Sequence, residues 1–157
     1  MAYLLLVSVL WGFSFGLIKA EFAQLSPATL ASARLLIALP CFLPFLQRRF
    51  RRWSTEVVLL LLTGVVQYGV MYLALFHAFA WLSGYEVALL TIFTPLYVIL
   101  AHALLTRTRP PVWFWGTALL AVIGALVIFR PEEWPAKGPG ILLMQVSNLC
   151  FALGQIA

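Results

Sequence analysis

LWGFSFGLIKAEFAQLSPATLASARLLIA, residues Leu10 to Ala38, is the stretch on which the reading of this chain turns. An apolar helix carrying one tryptophan and two glycines ends on Lys19. A short loop turns at Ser26-Pro27, and a second apolar helix follows with a single arginine, Arg34. The remainder repeats the theme, as long apolar runs separated by short loops. Of 157 residues, 64% are hydrophobic and only 10% are charged, and the mean hydropathy is +1.02. Roughly a quarter of a soluble domain is charged, because a water-facing exterior requires it. The solvent implied here is lipid.

A membrane helix takes about 20 mainly apolar residues. Spans are predicted near residues 2–20, 27–46, 57–80, 84–105 and 112–129, and a sixth starts near Gly140. The predicted fold class is an all-α polytopic membrane protein with five complete transmembrane helices and a truncated sixth. Residues 1–130 then form one five-helix unit, 131–139 an external loop, and 140–157 the start of a second unit. Ending at Ala157 in mid-run, with no flanking anchor, leaves roughly 18 residues for the sixth span, so the natural chain is expected to continue.

The net charge is +5, and the basic residues gather in two loops, 47–53 (QRRFRRW) and 106–109 (TRTR). That is the positive-inside pattern and not a nucleic-acid footprint; it also suits anionic lipid. Arg48, Arg49, Arg51, Arg52, Arg107 and Arg109 lie on one side, against Lys19, Arg130 and Lys137 on the other. The N-terminus is therefore expected in the cytoplasm, and 130–139 (RPEEWPAKGP) outside the cell membrane. Cys41 and Cys150 each sit inside an apolar run and read as small buried residues.

Several chemistries are excluded. There is no HExxH, no Walker sequence and no aspartate at all. The serines have no His–acid pair at plausible depth, so no nucleophile set is predicted. His77 and His102 are each alone, without a second ligand at helical spacing, so neither a metal nor a cofactor is expected.

An offset of 139 residues pairs Ser147 with Ser8 and aligns Leu143, Val146 and Leu149 with Leu4, Val7 and Leu10. After an odd number of spans, a second copy enters the bilayer upside down, and inverted repeats are a common transporter architecture. The chain then reads as half of an inverted-repeat transporter, whose partner is a second repeat or a second copy.

Ionisable groups inside spans are costly and face a cavity or a partner. Arg34 lies roughly 12 Å into its span and Glu86 roughly 4 Å, at 1.5 Å per residue. Lys19 ends span 1 on the same side, so Glu86 is predicted to neutralise Arg34 or Lys19. The alternatives are a snorkelling Lys19 and a purely structural ion pair for Arg34. Gln67, Tyr68 and Tyr72 fall in the middle of span 3, and the two tyrosines share a face; they either line a wet cavity or bond between helices. Trp11 and Ser14 complete the candidate cavity, with Trp11 alternatively facing lipid or packing. Gly12 and Gly16 form a GxxxG pair for helix packing. Pro40, Pro44 and Pro95 remove backbone donors and bend their helices.

The ordered set Trp11-Gly12, Phe15, Lys19, Ser26-Pro27, Arg34, Ala38, Ser83-Gly84, Pro95 and Gly116…Gly124 resembles the EamA domain of the drug/metabolite transporter superfamily. The resemblance covers about residues 2–130 and implies ten spans in two inverted repeats. It also implies movement of a small metabolite, amino acid or drug across the cytoplasmic membrane. Two departures stand out: members often carry an acidic residue just after span 4, where this chain has 105–110 (LTRTRP), and usually a small residue where it has Glu86. The expected function is secondary transport of a small molecule by alternating access, with a lipid bilayer as solvent. The alternative is a non-transporting accessory protein or an inert truncated product.

Overall fold

The computed structural model describes residues 2–22, 24–45, 54–128 and 134–156, and these are helical with short turns between them. The basic run 47–53 and the stretch 129–133 lie outside the described residues. Among the described residues, eight α-helices follow in order: α1 (Ala2–Glu21), α2 (Pro27–Phe42), α3 (Thr55–Gly64), α4 (Met71–Ala78), α5 (Gly84–Leu90), α6 (Thr94–Thr106), α7 (Val112–Ile128) and α8 (Trp134–Ile156). A π-type turn, Val65–Val70, joins α3 to α4, and a 3-10 turn, Thr91–Phe93, joins α5 to α6. Among the described residues, four stretches are long and apolar enough to cross a membrane: Tyr3–Glu21, Thr55–Ala78, Gly84–Thr106 and Pro135–Ile156. α2 and α7 are apolar but shorter, at 16 and 17 residues. α8 begins at Trp134, six residues before the expected Gly140, so residues 134–139 of the expected external loop are helix.

Local rules account for the helix starts. Ser26 caps α2, its Oγ accepting the Thr29 N–H at 3.1 Å, and Pro27 supplies a preset first turn. Ser54 caps α3 in the same way, through the Val57 N–H at 3.4 Å. The interruptions have causes as well. Pro95 has no N–H for the Thr91 carbonyl, and the chain tightens into the 3-10 turn just before it. Pro40 lies inside α2, which gives way to a 3-10 turn, Leu43–Phe45, at Pro44.

α8 is the centre of the bundle, packed on α4, α6 and the π-type turn, with α2 on α4 and α1 on α5. Small residues set the closest approaches, as expected where lipid supplies no hydrophobic drive between helices. A Cβ on Gly84 would stand 3.1 Å from the Phe15 carbonyl oxygen, and one on Gly154 would collide with the Gln67 side chain. A Cβ on Gly12 or Gly16 of the GxxxG pair would meet nothing within 4 Å inside the chain, although the Gly16 N stands 3.6 Å from where a Cβ on Gly84 would lie. The side those two Cβ positions would take is free because α1 touches the bundle mainly through α5. The buried core gathers Ile18, Leu75, Phe79, Leu82, Val87 and Met144 around one end of the bundle. Large apolar side chains on α1, α3 and α7 point outward, which suits hydrocarbon as solvent.

Candidate functional site

A cavity of about 520 Å³ opens between α1, α2, the two interrupted spans and α8. α1 contributes Trp11, Ser14 and Phe15, and α2 contributes Arg34. Tyr68 and Tyr72 come from the π-type turn and α4; Thr91, Thr94 and Pro95 come from the second interruption. α8 supplies Met144, Ser147, Asn148 and Phe151. Both irregular turns therefore reach this cavity, as π-type and 3-10 interruptions often do at working sites. A second, open groove of about 360 Å³ beside Leu59, Leu62 and Leu153 is almost wholly apolar.

Arg34 sits over an aromatic platform. Its guanidinium carbon lies 5.5 Å from the Tyr72 ring centroid and 5.7 Å from that of Phe76. The two rings stack at 5.6 Å with an interplanar angle of 10°. Nη2 donates to Ser14 Oγ at 2.5 Å, tying α2 to α1. Cation–π contact of this kind contributes about 0.5–2 kcal/mol each. Among the described residues, no carboxylate pairs with Arg34.

On the α8 wall, two buried polar residues hold both interrupted spans. Ser147 Oγ donates to the Met71 carbonyl at 3.1 Å, just past the π-type turn. Asn148 Nδ2 donates to the Leu90 carbonyl at 2.8 Å, where the Thr94 N–H has turned to Thr91 instead. Thr94 Oγ1 in turn donates to Asn148 Oδ1 at 3.1 Å. The irregular backbone thus finds partners on a neighbouring helix, as it must in lipid. Asn148→Leu should destabilise the bundle by about 1–2 kcal/mol, the cost of stranding a buried acceptor. Unfolding in mixed micelles checks this; an unchanged midpoint would remove Asn148 from that role.

The predicted partnership of Glu86 needs correction. Its carboxylate bonds neither Arg34 nor Lys19: Lys137 Nζ donates to Oε1 at 2.6 Å. Oε2 receives the Ser83 N–H and the Ser83 hydroxyl, each at 2.8 Å. The reason is the early start of α8, which brings Lys137 beside the first turn of α5. Ser83-Gly84-Tyr85-Glu86 is an S-x-x-E signature, and it marks Glu86 as a group serving its own helix start. Lys19 Nζ donates to the Phe79 carbonyl at the end of α4, a favourable place for a cation.

Of the candidate cavity residues, Trp11, Ser14, Arg34, Tyr68 and Tyr72 come together around the cavity. Lys19 bonds the Phe79 carbonyl, Glu86 bonds Ser83 and Lys137, and Gln67 is buried against Gly154, so none of these three lines it. Asn148 and Thr94 are the residues that sequence reasoning missed. The signal for Asn148 is a single carboxamide within the apolar run of α8. His77 bonds its own helix, donating from Nδ1 to the Leu73 carbonyl at 2.7 Å.

Apolar helices long enough to cross a bilayer, interrupted where they meet a largely apolar cavity of small-molecule size with a few polar groups, give the architecture of a polytopic membrane protein with an internal binding site. The chain belongs to the EamA-like transporter family, which matches residues 1–130. That family is one of transporters and not of enzymes. The chain is similar to the biotin transporter of Salmonella typhimurium, at 37% identity over 157 residues, 99% of this chain and 52% of the relative. It is also similar to the biotin transporter of Escherichia coli K12, at 37% over 164 residues, with the same coverage. A probable biotin transporter of Pseudomonas aeruginosa is 39% identical over 158 residues, 99% of this chain and 54% of the relative. The chain spans about half the length of these curated relatives. No solved structure matches the chain.

Proposed function

We propose that this chain carries half of a secondary transporter for biotin or a close chemical relative, working by alternating access. The supporting observation is the similarity at 37–39% identity to biotin transporters along nearly the whole chain. Five spans form the first repeat, with α2 and α7 completing the set, and α8 begins a second repeat of opposite orientation. A second repeat, or a second copy of this chain, completes the transport unit. Trp11, Ser14, Arg34, Tyr68 and Tyr72 contact the substrate in the cavity, with Pro40, Pro44 and Pro95 marking where spans bend. The N-terminus lies in the cytoplasm and the protein in the cell membrane, as the six loop arginines favour. The Lys19 end, with its buried core and its Glu86–Lys137 pair, then faces outward and closes the cavity on that side.

The test is uptake of radiolabelled biotin into proteoliposomes. Saturable accumulation that excess unlabelled biotin suppresses is expected. Uptake equal to that of empty vesicles overturns the biotin reading.

A further inference from the structure

Arg34 is a guanidinium within an apolar helix, and most such charges are met by an acid. Here the acid that was expected to meet it, Glu86, is taken by Ser83 and Lys137. Among the described residues, the partners of Arg34 are all neutral: the Ser14 hydroxyl and the faces of Tyr72 and Phe76. The guanidinium carries five N–H donors, and one of them is engaged. Two stacked rings and one hydroxyl hold the group without neutralising it. It is also the one charged side chain among the residues lining the cavity.

We propose that Arg34 is the anchor for a carboxylate on the transported molecule, so that the site selects acids over their amides and esters. The geometry suits the task. With the rings beside its central carbon and one N–H on Ser14, the guanidinium keeps donors for a paired contact, and carboxylate is the group that fits a planar fork with two parallel hydrogen bonds. The lining elsewhere is apolar, aromatic or neutral polar, so a single negative charge finds one seat. On the α8 wall, Asn148 has spent one N–H on Leu90 and one acceptor position on Thr94, which leaves a donor and an acceptor for an uncharged polar end. The implied ligand is a monocarboxylate with an apolar body and a neutral polar group. Biotin, named for the relatives, has that chemistry, with a cyclic urea opposite its acid. This inference rests on the transporter reading of the cavity.

Two acid–amide pairs test it: biotin with biotinamide, and lipoate with lipoamide. In reconstituted wild-type protein, biotin should compete for labelled-biotin uptake about 10- to 100-fold better than biotinamide, the worth of charged hydrogen bonds. Arg34→Gln should abolish that preference, and Arg34→Lys should restore part of it. A second readout needs no variant. Phenylglyoxal labels accessible arginines, and mass spectrometry reads the label at Arg34. Biotin should shield Arg34 and biotinamide should not. Equal competition by acid and amide, with biotin still taken up, overturns the anchor and leaves the biotin reading standing. Shielding by lipoate but not lipoamide, without any response to biotin, overturns the biotin reading and supports the anchor. If none of the four compounds competes or shields, both fall.

Discussion

Glu86→Ala should lower the stability of this bundle by about 2–3 kcal/mol. The carboxylate is 3% exposed and collects three hydrogen bonds, two from Ser83 and one from Lys137. Losing the bond to the Ser83 N–H uncaps α5, at about 1 kcal/mol. Losing the pair removes the Glu86 carboxylate from the Lys137 ammonium, and breaking a fully buried pair costs about 3–5 kcal/mol. The Lys137 side chain is 21% exposed, so it can reach toward the interface and recover part of that loss. Glu86→Gln keeps an acceptor for Ser83 and should cost about half as much. Reversing both charges, Glu86→Lys with Lys137→Glu, should not rescue the fold. It would restore an ion pair but place a cation at the positive end of α5 and remove the cap acceptor. Urea or SDS titration in mixed micelles measures each variant. A Glu86→Ala midpoint matching wild type would show that the pair does not hold α8 to α5, and full rescue by the double reversal would show that the ion pair alone, without the Ser83 cap, carries the effect.

Gly140→Leu should be more disruptive still, at about 3 kcal/mol or more, because it overfills the close approach of α8 to the end of α4 and the turn that follows it. A Cβ there would lie 2.8 Å from both the Trp81 Cβ and the Leu82 Cγ, and 3.3 Å from the Ala78 carbonyl oxygen. The Trp81 Cβ is fixed to the backbone and cannot swing aside, so α8 itself must move. Ala78, Leu82 and Met144 are all buried within this contact region, and the displacement would also shift the Ser147 and Asn148 bonds. Gly140→Ala should cost about 1–3 kcal/mol. Gly16→Ala is the matched control: the same extra carbon meets nothing within 4 Å, and the midpoint should move by less than about 0.5 kcal/mol. Equal tolerance of the two alanines would mean that α8 and α4 do not approach as closely as described.

The glycines mark where reading residues in order stops working. Gly12 and Gly16 show a packing motif in plain spelling, yet within this chain a Cβ on either would meet nothing within 4 Å. Gly140 and Gly154 belong to no visible motif, yet they carry the close contacts of α8. A soluble helix would reveal its inner face through an apolar stripe. These spans are apolar nearly all round, because lipid accepts every face, so periodicity cannot rank one face above another. The same holds for the ionisable groups. Their depth is readable from 1.5 Å of rise per residue, which correctly groups Lys19 with Glu86 at one end. Which neighbour each one meets depends on how far α8 extends and on where it crosses α5.

What the residues decide alone is what rests on short-range or bulk physics. Composition selects lipid as the solvent, and hydropathy with Ser caps places the helices. Pro95 predicts an interruption, and the ordered motif set points to the EamA-like transporters. The fold decides the pairings: Lys137 with Glu86, Asn148 with the Leu90 carbonyl, and Arg34 above Tyr72 and Phe76 with no acid beside it among the described residues. Each pairing joins helices distant in sequence, and each is set by backbone approach at glycines and by carbonyls that the two interrupted spans turn toward α8. No local pattern encodes those distances, because they exist only once the helices are packed.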